Sequence, residues 1–61
     1  MNNTYISEKY NIVDALDEID KFNLKMKDFV DKHPEYNHSV SISKQNKSWI
    51  VKLNVNNEQN N

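Results

Sequence analysis

No glycine, no cysteine and no arginine occur in this 61-residue chain, and proline occurs once. Each absence removes a class of chemistry. Without cysteine there is no disulfide and no thiolate metal site, and two histidines alone do not hold a structural zinc. Without glycine there is no phosphate-cradling loop and no glycine-bearing elbow to present a nucleophile. All eight basic residues are lysine, so the planar fork that grips phosphate, carboxylate or guanine at two points is missing. Long apolar runs are lacking as well: none approaches the roughly 20 residues needed to span a bilayer, and no basic-then-apolar leader opens the chain. The expected location is therefore the cytoplasm, with no membrane contact.

What the chain does contain is an apolar seam of helical period over residues 11–32. Ile12, Ile19 and Met26 recur every seven residues, with Ala15, Phe22 and Phe29 interleaved at three- and four-residue spacing, and Leu16 and Val30 widen the stripe. Acids crowd the first half (Asp14, Asp17, Glu18, Asp20) and lysines the second (Lys21, Lys25, Lys27, Lys32), the order that a helix dipole favours. Asp17 with Lys21 and Asp28 with Lys32 are spaced as helical ion pairs. Two residues compete for the N-cap. Ser7 would put Glu8 in the first turn and Tyr10 on the apolar face, Asn11 stands directly before the seam, and Ser7 is the preferred reading. Pro34 forces His33 towards an extended conformation and stops the helix near Lys32.

Residues 36–55 alternate with period two. Tyr36, His38, Val40 and Ile42 share one side, as do Trp49, Val51, Leu53 and Val55, while Ser39, Ser41 and Ser43 point away with Ile50 and Lys52. A tight turn at Gln45 and Asn46 sets Ile42 opposite Trp49, Val40 opposite Val51, His38 opposite Leu53 and Tyr36 opposite Val55. Asn46 is the residue best suited to a left-handed turn position. Upstream, Thr4, Tyr5 and Ile6 form a short extra strand or lie over the helix end. Residues 56–61 hold no apolar side chain and read as a disordered polar tail.

The expected fold is α+β: one domain over residues 1–55, with one long helix laid on a two-stranded antiparallel hairpin and an optional N-terminal strand. So small a core is marginal without a staple, and an isolated hairpin more so, which points to a homodimer over a monomer. Val13 and Leu24, eleven residues apart on a second helix face, and Ile50, on the far side of the hairpin, are apolar residues that the core does not claim.

No constellation names a reaction. His33 and His38, near Asp31 and Glu35, lack a recognised metal-ligand spacing. The three strand serines alternate away from His38, and the acids of the helix read as a solvated face. Neither cofactor nor small-molecule substrate is implied, and the chain reads as non-enzymatic. Charge is distributed unevenly: residues 8–35 hold eight acids against five lysines (−3), residues 37–55 three lysines and no acid (+3). Two binding readings follow. In the first, Val13, Leu24 and Ile50 make apolar contact with a protein partner while Asp17, Asp20 and Asp28 steer it. In the second, Lys44, Lys47 and Lys52 give a weak, salt-sensitive nucleic-acid surface, doubled in a dimer. Eleven asparagines, with many lysines and isoleucines, suggest an AT-rich coding sequence. That composition resembles small accessory proteins of phages and mobile elements, and the first reading, a module that binds and modulates a host protein, is the expected function.

Overall fold

A computed structural model describes residues 2–57. Four elements follow one another: β1 (Asn3–Lys9), α1 (Ile12–Lys32), β2 (Tyr36–Gln45) and β3 (Ser48–Asn57). The sheet has three strands joined by two antiparallel ladders in the order β1-β3-β2, so β3 is central and β1 and β2, each antiparallel to it, run parallel to one another on its flanks. The N-terminal strand thus completes the sheet, and the fold is a small α+β domain.

The helix starts at Asn11. Its side-chain carbonyl accepts from the Asp14 backbone N–H at 2.8 Å while its amide donates to the Asp14 carboxylate at 3.0 Å, a reciprocal cap that satisfies one of the orphan N–H groups of the first turn. The N-cap reading of Ser7 is corrected. Ser7 lies inside β1, opposite Val51, and Tyr10 is exposed in the connection instead of on the apolar face. At the other end His33 donates to Phe29 and Val30, and Tyr36 closes a turn by donating to the His33 carbonyl at 3.0 Å.

The hairpin register is also corrected. Ile42 faces Val51, Val40 faces Leu53, His38 faces Val55 and Tyr36 faces Asn57, two residues from the expected pairing, and the loop is Asn46–Lys47 between Gln45 and Ser48. A two-residue shift preserves faces, because side chains repeat every second residue. Two local effects select the observed pairing. It sets Lys44 opposite Trp49, where the expected one would set Lys44 against Lys47 as like charges, and it puts Asn46 (φ 59°) at the first loop position, where primed hairpin turns require positive φ. It also carries β3 to Asn57, two residues beyond the expected domain end. The rest of the expected polar tail, residues 58–61, lies outside the described residues.

Met26, Leu53 and Val55 form the centre of the core, with Phe22, Phe29, Val30, Tyr36 and Val40 packed around them; Ala15 and Val51 are fully buried. Leu16 and Ile12 are exposed, a correction to the expected seam. Leu16 sits one residue, about 100°, round the helix from Ala15, and Ile12 is its first residue, so both overhang the face that the sheet covers. The Cα envelope is 41 × 20 × 10 Å. That thickness is one layer spacing, so the sheet's other face is uncovered.

Candidate functional site

The register and the helix phase together place every residue that the sequence singled out. On α1, Val13 (63% exposed) and Leu24 (74%) fall within about 20° of each other, on the side turned away from Ala15 and Met26. Asp17, Asp20 and Asp28 are exposed along the same outward side. Asp28 holds Lys32 at 3.4 Å across one turn; among the described residues no ion pair joins Asp17 to Lys21. These five residues share one side of the helix, with Val13 and Leu24 about 16 Å apart along it; Lys27 stands on the same side, and Lys21 and Lys25 border Leu24.

Ile50 does not belong to it. It lies on the uncovered face of the sheet, paired with Ser43 and Glu8, with the whole domain between it and Val13. There it borders a shallow depression of about 450 Å³ lined by Ile6, Ser41, Ser43 and Lys52, with Lys44 and Gln45 at its hairpin end. Ile6 was missed in the sequence as a partner for Ile50. Once β1 pairs with β3, alternation brings Ile6 opposite Lys52 and onto that face, but a strand left optional has no phase to read.

The three hairpin lysines do not share a face. Lys44 turns to the helix side, its ammonium 4.7 Å from the centre of the Trp49 ring in a cation–π contact. Lys52 is on the uncovered face and Lys47 in the loop. Trp49 is partly buried under Lys44, so it offers no open platform for a base.

The histidines sit in separate settings. The His33 ring stacks 4.7 Å from Phe29 and near Tyr36, with Nδ1 3.9 Å from the Glu35 carboxylate, whereas His38 Nε2 lies 3.2 Å from Asn23 Oδ1 on the helix side of the sheet. Ser39, Ser41 and Ser43 occupy the opposite face from His38. Among the described residues no three His, Cys, Asp or Glu side chains converge as a metal site, and no helix is long and apolar enough to cross a membrane.

One polar contact locks the sheet next to these surfaces. The Ser48 hydroxyl, in a nearly buried residue, donates to Glu8 Oε2 at 2.6 Å and ties the start of β3 to the end of β1. Lys9 alongside reaches Glu18 of the helix at 3.6 Å. No family model, curated protein or solved structure matches this chain. The surface geometry is therefore the ground for a functional reading.

Proposed function

We propose that this chain is a small non-enzymatic protein-interaction module of the cytoplasm, an accessory protein of phage or mobile-element type that binds and modulates a host protein through the outward face of α1. The observation that carries this reading is the pairing of Val13 and Leu24 on a face that the sheet does not use. A helix that only has to cover a sheet gains nothing from two large apolar side chains on its solvent side, and both raise the tendency to associate. Asp17, Asp20 and Asp28 around them favour a basic partner surface, speeding encounter and rejecting acidic competitors. The mechanism is occlusion: the helix covers a surface that the partner needs for something else.

The test is a comparison of immobilised wild-type chain with a Val13→Ser/Leu24→Ser variant, reading retained host proteins by mass spectrometry at two salt concentrations. A protein held by wild type, lost by the variant and weakened by salt supports the reading. Proteins held equally by both chains would refute it.

A further inference from the structure

We infer that β1 pairs with β1 of a second copy of this chain, antiparallel and centred on Ile6, to make a continuous six-stranded sheet with both helices on one side. Among the described residues β1 has one strand neighbour, β3, and is an edge of the sheet along Tyr5–Ser7. Edge strands are ordinarily guarded by charge. Here both charges of the strand are engaged within the fold, Glu8 by the Ser48 hydroxyl at 2.6 Å and Lys9 by Glu18 at 3.6 Å, which leaves Tyr5–Ser7 with no charge of the strand's own beside it, Lys25 of the helix being the charge that borders Tyr5.

Beside that edge lie the strand's two apolar residues, both open to solvent. Tyr5 is 51% exposed on the helix side and Ile6 64% exposed on the other, while Tyr36, Val40 and Ile42 of the opposite edge strand are partly covered. Next to Tyr5 the helix leaves a trough over the core: adjoining depressions of about 360 and 250 Å³ share Tyr5, Lys25 and Met26, with Phe29 and Val55 in one and Phe22 and Leu53 in the other. An added strand would close this trough and bury Ile6 on the far face in a single step.

The strand's own sequence argues for a second copy as that occupant. In an antiparallel pair with two-fold symmetry the axis must fall on a residue, and Ile6 is the midpoint of Asn3–Lys9, so only this register uses the full strand. It sets Ile6 against Ile6, Tyr5 against Ser7, Thr4 against Glu8 and Asn3 against Lys9. No like charges meet, and neither charge faces an apolar residue. Moving the axis to Ser7 would set Lys9 against Tyr5 and Glu8 against Ile6.

The cysteine-free chain gives a direct test. Facing residues in an antiparallel pair have Cα atoms about 4.5–5.5 Å apart, within reach of a disulfide. Single Ile6→Cys, Ser41→Cys, Ile50→Cys and Leu24→Cys variants are oxidised at equal concentration and run on non-reducing gels, beside sedimentation equilibrium of wild type and Ile6→Lys. Ile6→Cys is expected to cross-link at least tenfold faster than the others. Ile6→Lys, a change at an exposed position, is expected to keep the wild-type circular dichroism while raising the dimer dissociation constant at least 100-fold. A wild-type chain monomeric up to millimolar concentration would overturn the inference, as would a dimer that cross-links faster through Ser41→Cys, Ile50→Cys or Leu24→Cys. Neither result bears on the helix-face reading, which concerns a different surface and a different partner.

Discussion

Leu24 and Leu53 are the same side chain in opposite circumstances, and truncating each to alanine separates what holds the fold from what the fold presents. Leu53 is 3% exposed in the central strand, packed with Met26 and Val55; Leu24 is 74% exposed. Removing a buried leucine costs about 2–5 kcal/mol through lost transfer energy and the cavity left behind. A domain of this size has about 3–9 kcal/mol in total. Leu53→Ala should therefore take about a fifth of the stability at the least and, at a urea slope of about 1 kcal/mol/M, lower the midpoint by roughly 2 M or more. Leu24→Ala should stay within about 0.5 kcal/mol, because alanine is the better helix former and no packed neighbours are lost. Urea titrations followed by fluorescence of Trp49, the only tryptophan, at one fixed chain concentration measure both. A loss above about 1 kcal/mol for Leu24→Ala would mean that the helix face is already packed in the free protein, and the argument from its exposure would fail.

The Asn11 cap gives a second expectation: Asn11→Ala should cost about 1 kcal/mol and lower the melting temperature by roughly 4–8 °C, with Asn11→Asp or Asn11→Ser retaining most of the stability, as read by circular dichroism. For the Ser48–Glu8 contact, a charge-assisted hydrogen bond, a double-mutant cycle of Ser48→Ala and Glu8→Gln should show a coupling of about 1–2 kcal/mol; strictly additive losses would mean that the bond contributes nothing. The dispersed lysines predict that neither wild type nor a Lys44→Gln/Lys47→Gln/Lys52→Gln variant shifts duplex or single-stranded DNA in a gel at low salt. A wild-type shift abolished in the triple variant would favour nucleic acid as the ligand.

The helix and the strand faces were legible in the sequence because both depend on local period, which the seam of Ile19, Phe22, Met26 and Phe29 and the alternation of Val51, Leu53 and Val55 state directly. What was not legible depends on contacts made across the chain. Ser7 and Asn11 are equally good caps in isolation. Only the pairing of Ser7 with Val51 and the bond from Glu8 to Ser48, 40 residues apart, assign the first to a strand. The hairpin register escaped for a different reason: a two-residue slip keeps every face intact, so hydrophobic pattern cannot detect it, and the choice rests on one lysine pair and one asparagine. Of the candidate site, the outward helix face was readable from spacing alone. That Ile50 lies on the far side of the hairpin was readable from alternation too; Ile6 beside it was not, because β1 has no phase until it pairs with β3.

The central position of β3 bears on how the domain comes into being. Of the four elements it is the last to leave the ribosome, yet among the described residues it is the strand with which β1 and β2 each pair. Until it emerges, β1 and β2 are edges with no ladder and the helix has an unfinished surface to lie on. Pairings such as Asn3 with Val55 close loops that are long for so short a chain, so the fold should assemble late and in one cooperative step. A nascent chain that stalls before β3 would display its apolar seam to every chaperone and protease in reach.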